Sequence, residues 1–395
     1  MVEAREVSSD LTGSKFGPYR IVRRLGVGGM AETFEAVRSG PGEFSQRVCL
    51  KLALPFLRED PEFVRLFQRE ARLAAKLRHG NIVGVLDYGS VDDTPYMALE
   101  LVDGVDLARL LEAQRRLAFE HAALLAVELA KGLSHAHTPP SSAGLDDSNG
   151  QLQGIVHRDL SPSNVMLSHQ GEVMLTDFGV AKAMSGASRL QSAVKGKVPY
   201  MSPEQLRNEA LDGRADLFSL GVVLFETLSG RRPFDGGNDP ATIMRILEGD
   251  HVPLAELARG APERFCEVVD RLLEPERDDR PSSAAELIEQ LDEFAPSPRV
   301  QTKLGEMVAQ VTQELGSKAS DEPPDAFVVT LKRNGEIIES GVDVVDVDAQ
   351  SEPRANVAGD AQPHEGFHLG FTVALFTTVF AGLVGGIVFL FMRFL

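Results

Sequence analysis

The sequence is poor in several things at once. Its 395 residues include no tryptophan, four tyrosines and only two cysteines, and basic residues (40) are outnumbered by acidic ones (58). Cys49 and Cys266 lie far apart and form no metal-type spacing, so they read as two reduced thiols, and a disulfide-stapled fold is excluded. A formal charge of −18 repels phosphate backbones, which argues against sequence-independent nucleic-acid binding. Met1 to Gly13 is polar and lacks the apolar core of a secretion signal. What is present is globular: 43% hydrophobic and 25% charged residues, with 36 glycines and 22 prolines that follow no collagen-like period. The length predicts about two or three domains.

Long apolar runs are also missing, with one exception near the C-terminus. Between Glu365 and Arg393 the sole ionisable residue is His368, and Phe371 to Met392 is continuously apolar or small. Such a run exceeds the roughly 20 residues that cross a bilayer as a helix. The expected organisation is a flexible segment 1–18, a folded domain 19–295, an acidic linker 296–366, a membrane span 367–392 and a short end 393–395. This describes a tail-anchored protein without a domain beyond the membrane. Gly382 and Gly386 form a small-residue pair suited to close helix contact, and a homodimer through the span is one expectation from it.

Within 19–295, Tyr19 to Leu25, Ala31 to Arg38 and Gln46 to Leu54 read as strands separated by Gly-rich turns. Asp60-Pro61 begins a helix that places Phe63, Phe67, Glu70 and Ala74 on one face. Helices are predicted over Phe119 to His137, Ala215 to Leu228, Pro262 to Glu274 and Ser283 to Phe294. The fold class is therefore α+β, a small strand-rich lobe followed by a larger helical one. The linker carries 6 Lys/Arg against 13 Asp/Glu. It contains two ordered-looking islands. Leu304, Val308, Val311 and Leu315 make an apolar stripe, expected to dock on the main domain or to pair helices. Phe327 to Ile338, centred on Asn334-Gly335, has the signature of a hairpin.

Chemistry-bearing residues appear in a fixed order. Leu25, Gly26, Val27, Gly28, Gly29, Met30, Ala31, Glu32 and Thr33 join two predicted strands, and glycines there let backbone N–H groups approach phosphate oxygens. Lys51 ends the third strand, and Glu70 on the apolar helix face needs a cationic partner to be buried. His157-Arg158-Asp159 is followed by Asn164, then by Asp177-Phe178-Gly179, and these offer hard oxygen atoms suited to Mg²⁺ and to steering a hydroxyl proton.

On these residues the chain resembles a bacterial Hanks-type (eukaryotic-like) serine/threonine protein kinase from roughly Tyr19 to Phe294. The resemblance implies a bilobal kinase fold, ATP and Mg²⁺ as cofactors, and protein serines or threonines as substrates. It implies that Gly26 and Gly28 cover the phosphates, and that Lys51 holds them while pairing with Glu70. Asp159 then orients the attacking hydroxyl, and Asn164 and Asp177 bind Mg²⁺. By the same resemblance Cys49 faces adenine, Glu100 and Val102 present hinge backbone groups to it, and Asp106 reaches the ribose. Glu204 is expected to pair with Arg280, and Asp216 to brace the catalytic loop. Because ATP is cytoplasmic, the catalytic domain is expected on the cytoplasmic side of the inner membrane.

Several departures from the family pattern stand out. Ala31 replaces a glycine, and Thr33 a valine. Ser161 stands where the family has a lysine, while Lys197 stands where it has a threonine. Two readings follow: either Lys197 supplies the missing charge beside Asp159, or the site has decayed into a nucleotide-binding scaffold. Thr138 to Gln153 is an insert ahead of the catalytic loop. Ser185, Ser188 and Ser192 are candidate sites for a regulatory phosphate sensed by Arg158. Tyrosine specificity is disfavoured, because Ser161-Pro162-Ser163 lacks an arginine.

Overall fold

The computed structural model describes residues 11–41, 44–138, 154–178, 196–321, 331–333 and 336–338. The expected membrane span, the insert 139–153 and the three candidate serines lie outside them. Among the described residues no helix is long and apolar enough to cross a membrane.

The small lobe is built on a six-stranded antiparallel sheet. Its strands are β1 (Lys15–Phe16), β2 (Tyr19–Val27), β3 (Ala31–Ser39), β4 (Ser45–Ala53), β5 (Val85–Val91) and β6 (Thr94–Glu100), in the order β1-β2-β3-β4-β6-β5. Side chains of a strand alternate between faces, and β4 uses both. Val48, Leu50 and Leu52 join Tyr19, Ile21, Phe34, Tyr96 and Ala98 in one apolar layer. Cys49 and Ala53 belong instead to the layer that holds Phe63, Phe67, Met97 and Leu99. Lys51 therefore shares the face covered by helix α2 (Pro61–Ala74), which follows the short helix α1 (Pro55–Arg58) and has the buried stripe Phe63, Leu66, Phe67, Glu70 and Ala71. Asp60 caps α2 by accepting from the Glu62 N–H at 3.0 Å, and Pro61 occupies the first turn, where no N–H is needed.

The ordered lobe starts earlier than the expected boundary at residue 19. The β1 strand pairs with β2, Leu11 packs on the first apolar layer, and the Gly13 N–H donates to the Ile21 carbonyl at 3.0 Å. The segment expected to be flexible throughout 1–18 thus contributes an edge strand.

The large lobe is helical around a single apolar core. Helix α4 (Phe119–His137) and the helix Arg214–Ser229 cross through it, the latter buried almost all round. A small sheet, β7 (Gly104–Asp106), β8 (Val165–Ser168) and β9 (Val173–Leu175), lies between the lobes, and helix α3 (Leu107–Gln114) follows β7.

The expected end of the domain at 295 is also corrected. Pro298–Asp321 is a helix, and Leu304, Val308 and Val311 are fully buried in the large-lobe core, whereas Leu315 remains 38% exposed. The spacing i, i+4, i+7 gives the helix one apolar stripe to dock, outweighing the acidic composition that made this part read as linker. The fit is close: a Cβ on Gly305 would sit 2.4 Å from the His169 carbonyl oxygen, and His169 Nε2 lies 3.1 Å from Thr312 Oγ1. Beyond Asp325 a second unit contains the antiparallel pair Leu331–Arg333 and Glu336–Ile338, in the register Arg333↔Glu336 that the Asn334-Gly335 signal implies.

Candidate active site

The polar residues named from the sequence converge between the lobes. Lys51 Nζ lies 2.8 Å from Asp177 Oδ1 and 3.7 Å from Glu70 Oε1. Burial opposes the lysine charge, but the two carboxylates outweigh it and hold the ammonium above its ordinary value. Asp177 responds in the opposite sense: burial would raise it, and Lys51 keeps it below the usual carboxylate range.

The catalytic loop is held by buried hydrogen bonds. Asp216, on the helix Arg214–Ser229, accepts from the His157 N–H at 2.7 Å and the Arg158 N–H at 2.8 Å, and lies 2.7 Å from His137 Nε2. Burial alone would raise the Asp216 carboxyl, yet His137 and then His157 hold it low. His157 donates from Nε2 to the Thr176 carbonyl at 3.0 Å, which leaves Nδ1 to accept from the Asp159 N–H at 3.3 Å. Burial pushes this imidazole down, so it is neutral. Arg158 takes a left-handed φ of 65° and Asp177 one of 58°, a conformation that costs L-residues about 1–2 kcal/mol. Arg158 is kept there at both ends of its backbone: Asp216 takes its N–H, and Gln205 Nε2 donates to its carbonyl at 2.9 Å.

Asn164 Nδ2 donates to the Asp159 carbonyl at 2.7 Å and to Asp159 Oδ2 at 3.0 Å, and Lys197 Nζ approaches the same Oδ2 to 2.6 Å. This leaves Asn164 Oδ1 and Asp177 Oδ2 as oxygen donors close to Asp159. Among the described residues no cluster of three or more His, Cys, Asp or Glu could hold a metal alone. A pair of oxygen donors with the remaining ligands supplied by phosphates and water suits Mg²⁺.

The Gly-rich hairpin contrasts with this. Its register pairs Gly26 with Thr33 and Val27 with Glu32, after an irregularity between Arg24 and Gly26. One backbone bond, Gly28 N–H to the Ala31 carbonyl at 2.8 Å, closes the turn, and Thr33 Oγ1 donates to the Gly26 carbonyl at 3.2 Å. Val27 is 53% exposed at its tip, and Gly28 and Gly29 are exposed with it, while Ala31 and Glu32 are buried. Leu25 and Met30 are partly buried, and Met30, like Cys49, Val102 and Met166, packs against the second apolar layer. Burial pushes the Cys49 thiol up to about 12, so it acts as a small apolar group. The Glu100 N–H donates to the Gly84 carbonyl at 2.8 Å and is therefore committed within the small lobe. Asp106 caps α3, accepting from the Arg109 N–H at 2.9 Å, with Oδ2 3.4 Å from Arg109 Nε.

Glu204 and Arg280 form a buried two-bond pair at 2.8 and 3.0 Å, and Arg280 also donates to the carbonyls of Glu274, Pro275 and Arg214. Two participants escaped the sequence reading. His137 ends α4 and carried no local signal. Gln205 did carry one, since Ser202-x-x-Gln205 is a capping box.

Comparison with known proteins agrees with this geometry. Residues 19–300 match the family model described as the protein kinase domain. The chain belongs to the protein kinase family. The kinase is 38% identical over 284 residues to tyrosine-protein kinase MasK of Myxococcus xanthus, covering 71% of this chain and 43% of that protein. It is 35% identical over 235 residues to serine/threonine-protein kinase PrkC of Bacillus subtilis, covering 59% of this chain and 34% of that protein. The kinase thus spans between about a third and a half of these relatives' length. Among solved structures, the PknI kinase domain of Mycobacterium tuberculosis is 28% identical with a TM-score of 0.53, covering 72% of this chain and 98% of that one.

Proposed function

We propose that this kinase transfers the γ-phosphate of ATP to serine and threonine hydroxyls of proteins. The observation that carries the reading is the convergence of Lys51, Glu70, Asp159, Asn164 and Asp177 in one cleft with charge-paired geometry. Lys51, fixed by Glu70, is the group that holds the nucleotide phosphates. Asn164 and Asp177 are the residues that would hold Mg²⁺, which would neutralise charge on the nucleotide phosphates. Asp159 accepts the proton of the attacking hydroxyl as the new P–O bond forms and ADP leaves; a positioned base of this kind contributes about 10²–10⁴-fold. In this reading Cys49 faces adenine, Glu100 and Val102 offer hinge backbone groups to it, and Asp106 reaches the ribose; the apolar packing of Cys49 and Val102 supports it.

A second reading is tyrosine specificity, favoured by the name of the Myxococcus relative. Acid hydrolysis of labelled product separates the two: phosphoserine and phosphothreonine are expected, and phosphotyrosine alone would replace the first reading by the second. The scaffold alternative is tested in the same labelling, since a scaffold transfers nothing.

We further propose that the apolar run Phe371 to Met392 anchors the kinase in the inner membrane with its catalytic domain in the cytoplasm, where ATP is. Self-association through Gly382 and Gly386 would bring two domains together for mutual phosphorylation. Gly382→Ile is expected to reduce self-association in membranes; unchanged association would remove this part.

A further inference from the structure

We infer that Lys197 is a catalytic residue of the transfer step, a second phosphate-contacting cation carried on the segment that follows the metal-binding Asp177. The inference deepens the proposed activity and rests on it.

Among the described residues, two lysines are hydrogen-bonded to the carboxylates of the cleft. Lys51 is committed on two sides, at 2.8 Å to Asp177 and 3.7 Å to Glu70. Among the described residues Lys197 Nζ has one hydrogen-bond partner, Asp159 Oδ2 at 2.6 Å, and its side chain is 29% exposed. An ammonium carries three donors, so two N–H groups remain for oxygens bound beside Asp159. That is where a transferring phosphoryl group has to sit.

The charge balance requires such a group. Glu70, Asp159 and Asp177 bring three carboxylates into the cleft, opposed by the ammonium groups of Lys51 and Lys197. Among the described residues, removing Lys197 takes away one of the two lysines hydrogen-bonded to these carboxylates, and cations aimed at transferring oxygens are a large part of the catalysis. The loop between Asp159 and Asn164 carries none. Ser161, two residues after Asp159, is 3% exposed and its Oγ lies 3.1 Å from Ser163 Oγ.

The segment that carries Lys197 is anchored immediately afterwards. The Tyr200 N–H donates to the Lys197 carbonyl at 3.0 Å, the Tyr200 hydroxyl donates to Glu226 at 2.6 Å, and Ser219 Oγ donates to the Tyr200 carbonyl at 2.8 Å. Two turns of chain later, Gln205 ties the same anchor to the Arg158 carbonyl. The cation therefore arrives with this segment, and Gln205 and Tyr200 act as positioning residues for it.

The opposite role, a lock in which Lys197 blocks the proton acceptor, predicts the opposite sign. The full-length chain in detergent, with [γ-³²P]ATP and Mg²⁺, distinguishes them through four proteins: wild type, Lys197→Thr, Ser161→Lys and the double variant. Lys197→Thr is expected to lower kcat at least about tenfold, with KM for MgATP changed by less than about threefold. The double variant, which returns a lysine to the loop, is expected to recover at least about half of the loss on a logarithmic scale. A faster or unchanged Lys197→Thr, or a double variant no better than the single one, overturns the role of Lys197 while wild-type activity leaves the proposed function standing. Wild type without transfer overturns both.

Discussion

The two walls of the cleft are held in opposite ways. The catalytic loop is tied by buried, fully partnered groups: Asp216 and His157 are both 0% exposed, and Asp216 alone fixes two backbone N–H groups and a histidine. The Gly-rich hairpin is closed by one backbone bond, and its tip is exposed. The difference follows from what each wall has to do. Reacting atoms need placement to within a fraction of an ångström, since a displacement of about 1 Å can cost 10²-fold. A wall that covers and releases a nucleotide needs backbone donors and freedom instead.

If the contrast is correct, damage to the tied wall is expensive and damage to the loose wall is mild. Asp216→Asn leaves buried N–H groups badly matched and is expected to cost about 2–4 kcal/mol of stability and about a hundredfold in kcat. Urea unfolding and transfer rates check both figures. Because the Asp216 carboxyl is depressed by folding, its stabilisation is present above the unfolded value of about 3.9 and is lost as pH falls through the folded one. The gap in urea midpoint between wild type and Asp216→Asn is therefore expected to narrow below about pH 4; a constant gap would contradict this.

Leu304→Ala probes whether the docked helix belongs to the large lobe. Loss of a fully buried leucine is expected to cost about 3 kcal/mol in urea unfolding, against no effect if Pro298–Asp321 were a free linker. On the loose wall, Gly28→Ala is expected to change stability by less than about 0.5 kcal/mol, because the added Cβ meets only the Ala31 carbonyl oxygen, at 3.4 Å. Its cost falls on nucleotide approach, as a rise of roughly threefold in KM for ATP. The smallest effect expected is at Cys49. With the thiol pushed up to about 12, iodoacetamide at pH 7.5 is expected to label it far more slowly than a free cysteine.

The same contrast governs what could be read from the sequence. Lys51, Glu70, Asp159, Asn164 and Asp177 were legible because each is a costly residue type at a fixed place in an ordered series. The Glu204–Arg280 pair was legible for the same reason. Gln205 carried a capping-box signal that points to its own helix and not to Arg158, 47 residues away, while His137, 79 residues from Asp216, carried none. The domain edges were misplaced for a different reason. Short pairing strands such as Lys15–Phe16 carry too few residues to show a pattern, and a net acidic count made 296–321 read as linker even though its stripe of Leu304, Val308 and Val311 was visible and docks as expected. The membrane run and the candidate phosphorylation serines lie outside the described residues and stand as read from the sequence.

The measurement that bears most directly on the account is single-turnover transfer from [γ-³²P]ATP by the full-length wild type and by Asp159→Asn at saturating Mg²⁺ and nucleotide. The account predicts label on serine or threonine for wild type, and transfer slower by about a hundredfold or more in the variant with nucleotide binding preserved. Equal transfer by the two proteins would contradict it.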